Sequence, residues 1–217
     1  MKKRSFLFPI FLLIIFAFGT RLTGEKLEFD QTKFMKTPPM PMVERFVFGF
    51  HETVADLFWI QAIQGFDYCE NEIAKNTCQP RSWLYQMLDA ITNLSPHFRM
   101  PQATGPLALT VIISDYEGAS LIFDKAVRNF PKDWPILYRA SYHALYEEKD
   151  KTKAAGLMVQ AAQNGAPAWL YSLASRLYSE EGQREVAWRL YEDLKNSGLS
   201  AEILERVRQK LLEKQAN

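Results

Sequence analysis

The sequence predicts an all-α fold, an α-solenoid in which about four helical hairpins stack side by side and a further helix covers the C-terminal end. No stretch of the 217 residues keeps the alternation of apolar and polar residues that marks strands. Prolines that end helical patterns stand at Pro96, Pro131 and Pro167, which are 35 and 36 residues apart. An internal period in this range is typical of repeat proteins.

The first 22 residues predict an export signal or an uncleaved membrane anchor. Lys2, Lys3 and Arg4 precede an apolar run from Phe6 to Gly19, which is the composition of a Sec-type signal. Residues 5–22 approach the length that spans a bilayer, and the positive-inside rule keeps the basic start in the cytoplasm. We therefore expect a single anchor in a bacterial inner membrane with the body in the periplasm, or export after cleavage. A buried core helix is disfavoured because no polar face interrupts the run.

Residues 23–45 are predicted to form a linker, and residues 46–217 the helical domain. Pro38, Pro39 and Pro41 oppose a regular helix and favour an extended chain. Within the domain, Cys69 and Cys78 stand in a short insertion, "CENEIAKNTC". An oxidising compartment would allow them to form a disulfide, with two unpaired thiols as the alternative.

Each repeat is predicted to hold two helices that meet through small side chains. Small or apolar residues recur five, eight and twelve positions before the prolines: Ile91, Ala126 and Ala162, then Leu88, Phe123 and Val159, then Leu84, Ala119 and Ala155. Upstream, "WIQAIQGF", "YRASYHAL" and "LYSLASRL" each place a large residue before a close-packing pair. Residues 201–212 have one apolar and one charged face, which favours a capping helix, with a partner-docking helix as the alternative.

This pattern resembles the tetratricopeptide repeat, a helical hairpin of about 34 residues. The match is best at Ala119, Phe123, Ala126 and Pro131, and it is poor near residues 103–113. The resemblance covers about residues 53–195. The stretches "ADLFWIQAIQGF" and "WLYQMLDAITNLSPHF" also look like the start of a group of small bacterial envelope proteins that carry such repeats.

The resemblance implies that the first helix of each hairpin lines a concave surface. Residues one, five and eight after its leading large residue would face inward. The partner-binding residues expected on this basis are Gln64 and Asp67 (with Ile60), then Arg139, His143 and Tyr146, then Tyr171, Ser175 and Tyr178. Arg139 and His143 lie four apart on one helical face and would hold a carboxylate of the partner. The alternative is an ordinary solvated face whose tyrosines cover the core.

Composition and motifs favour a binding protein over an enzyme. Without Lys2, Lys3 and Arg4, 26 − 3 = 23 basic residues face 25 acidic ones, so no nucleic-acid partner is predicted. "HETVAD" lacks the second histidine of a zincin helix, and no metal, cofactor, phosphate loop or nucleophile elbow is predicted. We expect a non-catalytic scaffold or assembly factor, tethered to the inner membrane, that holds a protein or peptide. The alternatives are an envelope hydrolase with a site assembled from separate helices, and self-association through exposed Phe and Trp.

Overall fold

The computed structural model describes residue 39 and residues 46–65, 80–196 and 198–213. Contacts divide the chain into Met1–Thr37, which lies outside these residues, and a compact unit, Pro38–Asn217, to which every described residue belongs. Within the described residues there are nine α-helices, one π-helical segment and no strand, so the prediction of an all-α fold is confirmed. In chain order these are α1 (His51–Gln64), α2 (Trp83–Leu94), α3 (Arg99–Ala108), the π segment (Leu109–Ile113), α4 (Tyr116–Asn129), α5 (Trp134–Tyr146), α6 (Lys151–Gln163), α7 (Trp169–Glu180), α8 (Arg184–Lys195) and α9 (Ala201–Glu213).

Helices that are neighbours in sequence pack against each other. The most extensive contacts join α5 to α6, α6 to α7, and α1 to α2, and further contacts join α3 to α4 and α7 to α8. Helices two apart in the chain also touch, since α2 contacts α4, α3 contacts α5 and α7 contacts α9. The fold is therefore built from local contacts along the chain.

Helix packing combines large and small buried side chains. In α2, Leu88 and Ile91 are completely buried. In α6, Ala154 and Ala155 are fully buried together with Met158. Small side chains let α6 lie close to both α5 and α7, which is the packing that the alanine spacing predicts.

Aspartates begin three of the helices, and Asp115 does more than cap its own. Its carboxylate accepts a hydrogen bond from the Gly118 amide of α4 at 2.9 Å and from the Ser82 amide at the start of α2 at 2.7 Å. The Arg81 amide also donates to it, at 3.3 Å. A Cβ at position 118 would lie 2.5 Å from an Asp115 oxygen, so glycine is required there. Asp115, only 1% exposed, thus joins the first turns of α2 and α4.

Helix α3 changes its winding at its C-terminal end. Helix α3 contains Pro106, which has no amide hydrogen, and continues into the π segment, a wider turn. That segment ends at Ser114, which has the left-handed φ of 60°, and the Asp115 amide then donates to the Leu109 carbonyl at 2.9 Å. The change of winding explains why residues 103–113 fit a regular repeat pattern poorly.

The membrane prediction is corrected. None of the helices in the described ranges is long and apolar enough to cross a bilayer. The longest, α1 and α4, have 14 residues each, whereas a span needs about 20. This finding contradicts the predicted transmembrane anchor and the inner-membrane and periplasmic location derived from it. Residues 1–22 themselves lie outside the described residues.

The disulfide prediction is corrected as well. The described ranges contain no disulfide bond, and Cys69 and Cys78 both lie outside them. The linker assigned to residues 23–45 also falls outside them except for Pro39. Contacts between α1 and α2 join the two helices on either side of the segment that holds both cysteines.

Candidate partner-binding site

A row of aromatic rings runs along α5 and continues onto α7. Tyr138, Tyr142 and Tyr146 recur every four residues, so they share one face of the helix. Ring centroids lie 4.8 Å apart for Tyr138 and Tyr142, and 5.6 Å apart for Tyr142 and Tyr146. The Trp169 ring of α7 meets Tyr138 edge-on at 6.3 Å. These four residues, the aromatic row, form a large and rigid contact surface with polar tips, as favoured at protein interfaces.

The aromatic row borders a cavity of about 210 Å³ between α3 with its π segment, α4 and α5. Most of its wall is apolar or aromatic, with one arginine and one glutamate. Its lining residues are Leu107, Thr110, Phe123, Tyr138, Arg139, Tyr142, His143, Tyr146 and Glu147. This aromatic cavity brings together three of the residues predicted from sequence: Arg139, His143 and Tyr146.

His143 forms the buried wall of the aromatic cavity and is only 4% exposed. Its Nδ1 lies 3.1 Å from the Thr110 hydroxyl of the π segment, and its Nε2 lies 2.9 Å from the Ser120 hydroxyl of α4. The Phe123 ring packs against the imidazole at 5.2 Å. Burial lowers the pKa of His143, and the nearby Glu148 only partly opposes this, so the imidazole is neutral at pH 7.

The contact between Ser120 and His143 does not have the geometry of a catalytic triad. In a triad the acid holds the ring nitrogen opposite the serine, whereas Thr110 occupies that side here. The nearest acid, Glu148, lies 4.0 Å from Nε2, the same nitrogen that faces Ser120. The Ser120 hydroxyl also donates to the Tyr116 carbonyl at 2.9 Å. These bonds join the π segment, α4 and α5, and they give His143 a positioning role in the cavity wall.

Arg139 supplies the positive charge of the aromatic cavity and also fastens α5 to α3. One terminal nitrogen of its guanidinium donates to the Ala103 carbonyl at 2.8 Å. Because His143 is neutral, Arg139 is the cationic member of the pair that was expected to hold a carboxylate. Tyr146 is 54% exposed. A hydrogen bond with Tyr138, followed by burial, raises the pKa of Tyr142, so its hydroxyl stays protonated at neutral pH.

The other sequence-predicted residues do not join this cavity. Gln64 is exposed at the end of α1, and Asp67 lies outside the described residues. On α7, Tyr171 and Ser175 are buried, and Tyr178 packs against the same hydrophobic core. Burial raises the pKa of both tyrosines.

The open side of α7 carries different residues from those expected. A cavity of about 230 Å³ between α7 and α9 is lined by Trp169, Ser172, Leu173, Arg176 and Lys210. The residues predicted to face the partner on α7 therefore lie on a different side of the helix from the residues that line this cavity. Trp169, an exposed aromatic residue next to Tyr138, was the residue from which the open side could have been predicted.

A second cavity, about 240 Å³, lies between α1, α2 and α3 with its π segment, and sequence reasoning missed it. It is almost entirely apolar, and its lining residues are Trp59, Ala62, Ile63, Leu84, Thr104, Gly105, Ala108 and Ile112. Gly105 makes the close approach possible, because a Cβ there would lie 2.6 Å from the Leu88 methyl groups. We refer to it as the apolar cavity.

A polar cleft of about 600 Å³ lies beside α2 and α4. Its lysine is already engaged, since Lys125 donates to Asp89 at 2.5 Å and to the Asn93 side chain at 2.6 Å. Among the described residues no group of three or more His, Cys, Asp or Glu side chains is arranged to hold a metal ion. The chemistry that these surfaces offer is recognition by shape, aromatic contact and a few charges.

Comparison with known proteins adds no assignment. No family model, curated protein or solved structure matches this sequence or fold.

Proposed function

We propose that the hairpins form a tetratricopeptide-like solenoid capped by α9, and that the protein is a non-catalytic scaffold or assembly factor. Its partner would be a protein or peptide that binds along the odd-numbered helices. The observation that carries this proposal is the aromatic row beside the aromatic cavity. Packing of each helix on its sequence neighbours, together with the α3–α5 and α7–α9 contacts, supports the solenoid.

The chemistry of the aromatic cavity suits a polypeptide better than a small substrate. Its volume of about 210 Å³ lies below the roughly 300 Å³ at which small-molecule pockets begin. Exposed aromatic rings extend on both sides of it, since Tyr146 is 54% and Trp169 43% exposed. Tyrosine, tryptophan and arginine are the residues that most often dominate binding at interfaces. A partner side chain would enter the cavity while its backbone lies along the ring faces.

The test uses the full-length chain and a displayed library of random peptides. Peptides that are enriched on the wild-type protein are synthesised, and their affinity is measured by titration calorimetry. We expect Tyr146→Ala to weaken binding about tenfold, because the ring supplies contact area that the partner loses. Its melting temperature should barely change, since more than half of the ring faces solvent.

Val186→Ala provides the matched control, since Val186 is an exposed apolar residue, 42% accessible, on α8. It should leave peptide affinity unchanged. Failure of any peptide to be enriched, or equal loss of affinity in both variants, would contradict binding at the aromatic cavity.

A further inference from the structure

Two uncharged segments border the apolar cavity. Residues 57–65, in and just after α1, and residues 100–114, in α3, the π segment and the residue after it, contain no Asp, Glu, Lys, Arg or His. Large apolar side chains are nevertheless exposed along both segments. These are Leu57, Ile60 and Ile63 on α1, and Val111 and Ile112 on the π segment, with exposures from 40% to 77%.

These five residues, the apolar face, lie on the two uncharged segments that border the apolar cavity. Ile63 and Ile112 line that cavity, so α1 and the π segment meet there. Ile60 lies three residues before Ile63 and Leu57 three before Ile60, so each neighbours the next along α1, and Val111 adjoins Ile112 in the chain. Contiguous apolar surface of this kind marks interaction sites in folded proteins.

The apolar cavity offers a place for one large side chain of a partner. Its only side-chain hydroxyl belongs to Thr104, which donates to the Met100 carbonyl at 2.9 Å and is therefore satisfied within its own helix. An apolar group that enters therefore leaves this hydroxyl its hydrogen bond. With about 240 Å³, the cavity is smaller than typical small-molecule pockets.

An exposed carboxylate at the edge of the apolar face, that of Asp56, indicates which charge the partner carries beside its apolar side chain. Asp56 lies beside Leu57 and one helical turn before Ile60, and it is exposed. It forms no ion pair with any other described residue. A cation on the partner would meet it there, whereas an anion would be repelled.

A helix satisfies these conditions best. The described residues contain no strand whose edge could extend a partner strand. A helical partner satisfies its own backbone hydrogen bonds. It therefore docks on an apolar surface without burying backbone polar groups that lack a hydrogen-bond partner. Anchors at positions i, i+3 or i+4, and i+7 would follow the apolar face.

We propose that the apolar face is a docking site for an amphipathic helix of the partner. This helix has an uncharged apolar face, inserts one large aliphatic or aromatic side chain between α1 and α3, and carries a Lys or Arg that meets Asp56. The inference rests on the proposed function, because it specifies a part of the partner that does not contact the aromatic cavity.

The test is a displayed library of helical peptides of roughly 18 residues on an Ala-Lys-Glu framework, randomised along one face and selected on the full-length chain. Enriched peptides should carry uncharged apolar anchors with helical spacing and a flanking basic residue. Ile60→Lys with Val111→Lys should weaken their binding at least tenfold, because a charge then has to be desolvated on docking. Asp56→Asn should weaken it two- to threefold at low salt and less at high salt.

Val186→Lys with Leu212→Lys is the matched control. It adds the same two charges at exposed apolar positions outside the apolar face, 42% and 39% accessible, and should leave binding unchanged. Both double variants change exposed side chains, so circular dichroism and melting temperature should match the wild type.

Other outcomes overturn the inference in distinguishable ways. If enriched peptides lose affinity with Tyr146→Ala but not with Ile60→Lys and Val111→Lys, the proposed function stands and the docking site is wrong. If neither library yields a binder, both proposals fail. If light scattering shows a dimer that Val111→Lys dissociates, the apolar face joins two copies of this chain and no helical partner docks there.

Discussion

The N-terminal and C-terminal regions of the described structure differ in the side chains that their helices expose. In the N-terminal region, α1 to α3 with the π segment, two uncharged stretches expose large apolar side chains, while Glu52, Asp56 and Arg99 are exposed outside these stretches. The C-terminal region, α6 to α9, is covered by ion pairs, as in Arg189–Glu185 and Arg206–Glu202. Both regions are built from packed helices, so they differ in their exposed surfaces and in what those surfaces can bind.

The interiors differ in the same direction. A buried carboxylate, Asp115, ties α2 to α4 in the N-terminal half, whereas the Arg189–Glu185 pair of the C-terminal region lies in solvent and adds little stability. The comparison teaches that a buried carboxylate joins two helices in the first half, whereas the exposed pairs of α8 and α9 each lie within a single helix. The uncharged segments near the N-terminus are then available for a partner.

The largest effect should come from Asp115→Ala. Three backbone amides lose a charged acceptor, and those at Ser82 and Gly118 stay buried. We expect a loss of about 3 kcal/mol in the free energy of unfolding, measured by urea titration. Asp124→Ala is the control: Asp124 lies on the same helix and pairs with Lys153 at 2.9 Å, with its side chain 43% exposed. An equal effect of both changes would contradict a special role for the buried carboxylate.

The second-largest effect should be a pH dependence of folding stability that arises from His143. This residue contacts Thr110 of the π segment and Ser120 of α4. Its folded pKa lies below the value of about 6.5 expected in the unfolded chain, because burial disfavours the charged ring. The unfolded state therefore binds more protons between these two values. Stability should fall as the pH drops through about 6.5 and level off below the folded pKa.

Urea titrations from pH 7.5 to 5 measure this slope. Glu147 and Glu148 favour the proton on His143 and Lys153 disfavours it, so these three groups should be left unchanged. His143→Gln should remove the part of the slope that His143 contributes, while the control His97→Gln, at an exposed histidine, should retain it. A wild-type slope that persists in His143→Gln would place the titrating group elsewhere.

The smallest effect should come from Arg189→Ala in the C-terminal region. Its pair with Glu185 is four residues apart on α8, and the two side chains are 74% and 79% exposed. We expect a change of less than about 0.5 kcal/mol, detected as a shift in the urea midpoint. A loss above about 1 kcal/mol would show that the surface charges do stabilise this region.

Periodicity was sufficient to predict the helices because it reflects burial directly. Alanines such as Ala119, Ala126 and Ala155 are fully buried, as their recurrence indicates. Pro131 and Pro167 follow the ends of α4 and α6. Pro106 breaks that rule, since it lies inside α3 just before the π segment, and no spacing argument predicts a change of winding.

The candidate site could be predicted on α5 but not on α7. Arg139, His143 and Tyr146 converge because they lie on the face of α5 that borders the aromatic cavity. The same offsets applied to α7 selected Tyr171 and Ser175, which are buried. Which side of α7 stays open depends on how α6 and α9 cover it, and sequence spacing within one helix does not contain that information. The apolar cavity was missed for the same reason, because three separate segments form it.

The π segment makes the chain tolerant of a change in length at this point. A π turn takes up one residue more than an α turn, so deleting Val111 would let the helix continue with ordinary winding. Because either turn completes about one revolution, the residues beyond the deletion would keep nearly the same orientation about the helix axis. Asp115 would then still face the Ser82 amide, and α4 would stay anchored to α2. The wider turn thus accommodates a surplus residue without rotating the helix that follows.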